Sequence, residues 1–170
     1  MLTIGIIGVV SAIAVVQIGT AQQSIKGDGG MRIVLAQMNV ARELALAQRR
    51  TMQVRFVGTN MVQIVRNNVP NGTTVLRSVV LEGGVEFTLV NGLPDTPDTF
   101  GKAAALDFGG AATTTFNSDG TFVDATGKPI NGTVFLAIRG NARSARAVTV
   151  LGSIGRIRAY RWNGAQWTRV

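Results

Sequence analysis

The residues best suited to chemistry lie near the C-terminus, where arginine alternates with aromatic side chains. Arg156, Arg158, Tyr160 and Trp162 are spaced two apart, and Trp167 and Arg169 repeat that spacing beyond Asn163-Gly164. In an extended strand a spacing of two puts side chains on one face. A two-residue hairpin at Asn163-Gly164 is expected to set Tyr160 opposite Trp167 and Arg158 opposite Arg169 on that face. Guanidinium groups neutralise phosphates and aromatic rings stack on exposed bases, so the face is chemically suited to DNA. In the alternative arrangement the three aromatics cap a β core and the arginines line its rim.

The charge distribution concentrates the same signal. Residues 1 to 124 hold nine basic and nine acidic side chains, whereas residues 125 to 170 hold eight basic ones and no acid. The whole net charge of +8 therefore belongs to the C-terminal part, which suggests nucleic acid, an anionic surface or an acidic neighbouring subunit as a partner, or simply a solubilising surface. Cysteine and histidine are both absent. Their absence removes disulfides, thiolate metal sites, the usual general base and the Ser-His and Cys-His pairs. The sequence is accordingly read as a non-enzyme with no cofactor and no small-molecule substrate. Asn117, Asp119 and Asp124 could approach a calcium ion, but an Asp-Gly turn needs none, and no metal is assigned. Asn71-Gly72-Thr73 and Asn131-Gly132-Thr133 fit the glycosylation pattern and read more simply as hairpin turns.

The elements that position these residues begin with an uncharged run. Met1 to Ile18 carry no charged side chain, and the first charge is Lys26. At about 1.5 Å per residue the run is roughly 27 Å long, close to the roughly 30 Å of bilayer hydrocarbon. A signal peptide would open with Lys or Arg, and a core helix would carry a polar stripe; a retained membrane or bundle helix fits better. Gly5, Gly8, Ser11 and Ala14 recur every three residues and would let another helix approach closely. Gly27-Asp28-Gly29-Gly30 should interrupt or unwind the helix, because glycine costs about 1 kcal/mol in a helix interior. A second, amphipathic half then starts near Met31, with Val34, Leu35, Met38, Ala41, Ala45 and Leu46 on one face.

From Gln53 the pattern changes to short β-branched runs divided by Gly, Asn, Asp and Pro. Strands are expected at 54–57, 61–66, 74–80, 85–90, 113–116, 132–138, 147–151, 156–162 and 166–169. Turns are expected at Gly58-Thr59-Asn60, Asn71-Gly72, Asn91-Gly92, Asp119-Gly120 and Asn163-Gly164, and a loop over Asn91 to Lys102. The class is α+β: a helix over residues 1–52, comprising a membrane or filament part at 1–26, the glycine break at 27–30 and a packing part at 31–52. A β-rich domain at 53–170 follows, as an antiparallel sheet or sandwich.

This order of parts resembles the type IV pilin and type II secretion pseudopilin superfamily. More narrowly, Met38-Asn39-Val40-Ala41-Arg42-Glu43-Leu44-Ala45 with Arg49-Arg50 after it resembles the "ARxEA" helix end of the GspH/FimT branch. Phe116-Asn117-Ser118-Asp119-Gly120-Thr121 resembles its "F-x-x-D-G" hairpin, and Gly155-Arg156-Ile157-Arg158 its late "GRxR". Members of this kind begin, once processed, with an aromatic residue and a glutamate four positions later. Neither precedes Met1, so the sequence is expected to start just inside that motif, and no processing residue is assigned.

The resemblance implies a structural subunit of an extracytoplasmic helical filament, either a type IV pilus or a type II secretion pseudopilus. It implies an inner-membrane stage before assembly into a periplasmic or extracellular filament, and partners that are copies of the chain or other pilins. Some members of the branch are DNA-binding minor pilins of natural transformation. The implied alternative is therefore DNA uptake, with Arg156, Arg158, Tyr160, Trp162, Trp167 and Arg169 as the contact face.

Overall fold

The computed structural model describes the backbone of residues 2–111 and 113–170, and side chains from Gln22 onward. One long helix, α1 (Leu2–Gln48), precedes eleven strands. These are β1 (Met52–Val57), β2 (Met61–Asn67), β3 (Thr73–Val80), β4 (Val85–Phe87), β5 (Leu106–Asp107), β6 (Thr114–Phe116), β7 (Phe122–Val123), β8 (Gly132–Ile138), β9 (Arg146–Leu151), β10 (Arg156–Trp162) and β11 (Trp167–Arg169). Single 3-10 turns at Ala142–Ser144 and Gly152–Ile154 bracket β9. All pairings between strands are antiparallel, in one sheet of order β3-β2-β1-β6-β7 and a second of order β11-β10-β9-β8-β4, with β5 also paired to β8. This is the α+β architecture expected of the sequence.

The amphipathic half of α1 packs on both sheets. Met31, Val34, Met38, Ala41 and Ala45 are buried against Val54, Val62 and Ile64 of the first sheet and Val134, Leu136, Val148, Val150 and Ala159 of the second. A chain of phenylalanines, Phe87–Phe56–Phe108–Phe122–Phe116, crosses between the sheets with ring centroids 4.8 to 5.8 Å apart. Leu46, expected on the buried face, is exposed, being in the helix's final turn. A second core on the far side of the second sheet gathers Leu93, Phe135, Ala137, Ala145, Ala147, Tyr160, Trp162 and Trp167 beneath the Asn91–Lys102 loop.

The expected interruption at Gly27, Gly29 and Gly30 is corrected: α1 runs unbroken through all three. The glycines serve contact. A Cβ on Gly27 would collide with the Ser144 carbonyl, and one on Gly30 would lie 2.7 Å from Val85 Cγ1. Glycine's intrinsic penalty is offset by the approach it permits between the helix, the 3-10 turn before β9, and β4. Two other differences are local. The strand expected over 85–90 stops at Phe87, and the two-residue strands β5 and β7 carry no periodicity by which a sequence reading could find them.

Among the described residues no helix is long and apolar enough to cross a membrane. The expected anchor and the packing positions Gly5, Gly8, Ser11 and Ala14 fall where side chains lie outside the described residues.

The glycines make a test of opposite signs. A Cβ added at Gly29 would meet nothing within 4 Å, so Gly29→Ala should stabilise the chain by roughly 0.5–1 kcal/mol through helix propensity. Gly27→Ala should instead destabilise it by about 1–3 kcal/mol through the clash. In thermal melts of the two variants, a rise for Gly27→Ala alongside that of Gly29→Ala would mean that Gly27 is not a contact glycine.

Candidate functional site: the helix clamp and the C-terminal basic face

The C-terminal arginines find their acids far away in the chain. Arg146, fully buried, donates from Nε to Asp28 Oδ1 at 2.7 Å and from Nη2 to the carbonyl and hydroxyl oxygens of Ser24, each at 2.8 Å. Its Nη1 donates to the carbonyls of Arg143 and Ala145. Arg161 grips the same carboxylate from the next strand, Nη2 to Oδ2 at 2.8 Å and Nε to Oδ1 at 3.2 Å. Asp28 is the charged member of the Gly27–Gly30 stretch, so the glycines admit the sheet and the aspartate holds it. Removing one partner of such a buried pair typically costs about 3–5 kcal/mol, because the other charge is left uncompensated.

Arg158 is also neutralised. Its Nη1 donates to Asp98 Oδ1 at 2.6 Å, and Thr149 Oγ1 donates to Asp98 Oδ2 at 2.6 Å. Burial pushes the Asp98 carboxyl up, but hydrogen bonds from Thr149, Tyr160 and Arg158 outweigh it and hold the group below the usual carboxylate range. Burial, joined by the Asp98 charge, raises the Tyr160 hydroxyl. Asp98 belongs to the Asn91–Lys102 loop, which is pinned again where Trp167 Nε1 donates to the Pro94 carbonyl at 2.9 Å. Arg139 pairs with Glu86 at the surface.

The expected register of the C-terminal hairpin is corrected. Tyr160 stands opposite Arg169 and Trp162 opposite Trp167, so neither Tyr160 with Trp167 nor Arg158 with Arg169 is a pair. The turn spans four residues, because the Asn163 side chain accepts from the N–H groups of both Ala165 and Gln166 and holds a wider loop. The set Arg156, Arg158, Tyr160, Trp162, Trp167 and Arg169 still shares one face. Tyr160, Trp162 and Trp167 are buried at 3%, 9% and 7% exposure, with the two indoles edge to face, and the Asn91–Lys102 loop covers them. Of the six, Arg156 and Arg169 are exposed, and Lys128 and Arg143 are exposed elsewhere.

The smaller signals resolve into turns. Asp119 Oδ1 accepts from the Thr121 N–H and hydroxyl, and Asp124 Oδ1 from the Thr126 N–H and hydroxyl and the Lys128 N–H. Among the described residues no three carboxylates gather as a metal site would require. Asn71-Gly72 lies in the β2–β3 hairpin. Asn131 instead precedes β8 and accepts from the Gly152 N–H, while Thr133 is fully buried.

One arrangement was not legible from any single motif. Arg42 donates from Nε to the Gly120 carbonyl at 3.4 Å and from Nη2 to the Ile154 carbonyl at 3.3 Å. Gly155, left-handed at φ 60°, sits where any Cβ would strike the Gly120 carbonyl and Arg42. The three segments that carried the resemblance therefore meet at one point, Arg42 from the helix, Gly120 from the β6–β7 hairpin and Gly155 before β10.

Comparisons with known proteins agree with this geometry. A family model described as Type II transport protein GspH matches residues 32–153. No curated protein matches the sequence. Among solved structures, the Pseudomonas aeruginosa type IV minor pilin FimU is similar at TM-score 0.54 and 13% identity, over 83% of this chain and 91% of that one. A second crystal form of FimU gives 0.53, at 14% identity, over 83% and 96%. The Vibrio cholerae type 2 secretion minor pseudopilin EpsH is similar at 0.52 and 15%, over 77% and 93%.

The Asp98 geometry has a pH signature. A carboxyl held below its usual range stabilises the fold above its unfolded value, about pH 4, and that stabilisation is lost as pH falls through the lower folded value. Asp98→Asn should therefore cost on the order of 2 kcal/mol at pH 7 and progressively less below pH 4. Urea melts across pH 2.5 to 7 measure this; a difference that stayed constant with pH would assign Asp98 a purely steric role.

Proposed function

We propose, from the premise that this chain belongs to the Type II transport protein GspH family, that it is a structural subunit of an extracytoplasmic helical filament, a type IV pilus or a type II secretion pseudopilus. The observation that carries the reading is the family match from Arg32 to Ser153, which takes in the core-packing half of α1, the phenylalanine chain and both sheets as far as the 3-10 turn before Gly155. The similar solved structures are a minor pilin and a minor pseudopilin, which favours a filament role for a chain of this fold.

In this reading the uncharged start of α1 waits in the inner membrane. An uncharged helix satisfies its backbone internally, and small residues at Gly5, Gly8, Ser11 and Ala14 let it exchange lipid for neighbouring helices of its own kind or of other pilins. The clamp of Asp28 by Arg146 and Arg161 carries the β domain rigidly on the other half of the same helix. A pull on the helix is thereby passed directly to the sheets. The work is architectural, with no reaction and no cofactor, and the β domain presents the outer surface.

Gly8→Arg should abolish incorporation into filaments, since a charge at that depth costs several kcal/mol. Immunogold electron microscopy of sheared filaments is the measurement, and undiminished labelling of the variant would defeat the filament reading.

The DNA-uptake alternative draws on the exposed Arg156 and Arg169. With Tyr160, Trp162 and Trp167 buried, that reading is one of phosphate contact without base stacking. Detergent-solubilised chain should then retard duplex DNA in a salt-dependent way, and Arg156→Gln with Arg169→Gln should weaken binding and flatten the salt slope by about 2. Equal mobility shifts for parent and double variant would discard the alternative.

A further inference from the structure

The Asn91–Lys102 loop is a strap with its ends tied together. Lys102 Nζ donates to the Leu93 carbonyl at 3.0 Å, and the Gly101 N–H donates to Asp95 Oδ2 at 3.1 Å. Inside the strap the Thr99 N–H donates to the Thr96 carbonyl at 2.9 Å, and Asp95 Oδ1 accepts from the Thr96 N–H at 2.6 Å. A compact loop whose ends are joined and whose bonds are its own can move as one body. Gly92 and Gly101, at φ 83° and 107°, lie at its two ends in backbone that favours glycine.

Its hold on the second sheet is narrow. Trp167 reaches the Pro94 carbonyl, and Asp98 takes one bond from Arg158 and one from Thr149. Among the described residues of the strap, Leu93 alone joins the second core.

The closed position also carries costs. Thr99, next to Asp98, is held at φ 55°, a left-handed backbone that strains a β-branched residue. Thr133, Thr149 and Arg158 are successive partners across β8, β9 and β10, so they share the face beneath Asp98. Two atoms of that row, Thr133 Oγ1 and Arg158 Nε, are buried with no hydrogen-bond partner among the described residues. Lifting the strap would let water satisfy both and let Thr99 relax, while no strand pair of either sheet has to break.

We infer that the Asn91–Lys102 strap is a lid latched by the Asp98–Arg158 pair, and that breaking the latch lifts it from the second sheet and uncovers Tyr160, Trp162 and Trp167. Closed, the face presents Arg156 and Arg169; open, it adds the freed Arg158 and three aromatic rings. One place on the molecule thus holds two different surfaces, and the Asp98 carboxylate selects between them. The device stands whether or not the chain is a filament subunit.

Both tryptophans of the chain, Trp162 and Trp167, lie beneath the strap, so tryptophan fluorescence reports on this face. Acrylamide quenching of the full chain in detergent micelles should be weak for the parent and rise about threefold or more in Asp98→Asn, with the far-UV circular dichroism unchanged. Arg158→Gln should rise as far, and the double variant no further, because either change opens the same latch. Arg139→Gln, which breaks a surface ion pair of the same sheet, should stay at the parent level. Quenching of Asp98→Asn at the parent level, additive effects in the double variant, an equal rise in Arg139→Gln, or a rise accompanied by loss of the sheet signal would each overturn the lid.

Discussion

The salt-bridged grip of Arg146 on Asp28 is the constraint on which the rest of the fold depends. A guanidinium with no solvent exposure must have every charge and donor answered; its own segment supplies the carbonyls of Arg143 and Ala145, and the helix supplies one carboxylate, one carbonyl and one hydroxyl. To satisfy them, β9 and the 3-10 turn before it must lie against the helix backbone, which explains glycine at position 27. Arg161 completes the carboxylate from β10, so two adjacent strands are registered to a single side chain. Hydrophobic burial along Met31 to Ala45 supplies most of the adhesion, but it is non-directional. The ion pair sets where along the helix the sheets must stop.

The same logic accounts for the distribution of charge along the chain. Acids in the first part and unmatched bases in the last look like an anion-binding tail when read linearly. In three dimensions Asp28, Glu86 and Asp98 each reach forward to arginines of the C-terminal strands, and most other aspartates are spent on turns. The basic excess that remains at the surface is real but dispersed among Lys128, Arg143, Arg156 and Arg169.

Much of this architecture was legible in the sequence because it is periodic. The three- and four-residue steps from Val34 to Ala45 and the β-branched runs from Met61 to Val80 and from Gly132 to Leu151 gave helix and strands nearly to the residue. The two-residue strands β5 and β7 were invisible, since two residues have no period. At Gly27–Gly30 and at Asn163-Gly164 local propensity misled, for one physical reason. A glycine's intrinsic cost and an Asn-Gly dipeptide's preferred turn are each worth about 1 kcal/mol, and a tertiary contact or side-chain cap of similar size can override them. The same-face placement of Arg156 through Trp162 was predictable from alternation, but the loop that buries its aromatics was not, because nothing local ties Asp98 to Arg158 sixty residues later.

The clamp also carries a consequence in time. Asp28 is separated from Arg146 by 118 residues and from Arg161 by 133, and Arg42 from the Ile154 carbonyl by 112. Contacts of such long loop closure form late, and domains rich in them fold slowly. As the chain leaves the ribosome, the helix therefore emerges before the strands, while the arginines that will lock the β domain onto it do not yet exist. The helix is free to find its place before it has anything to carry.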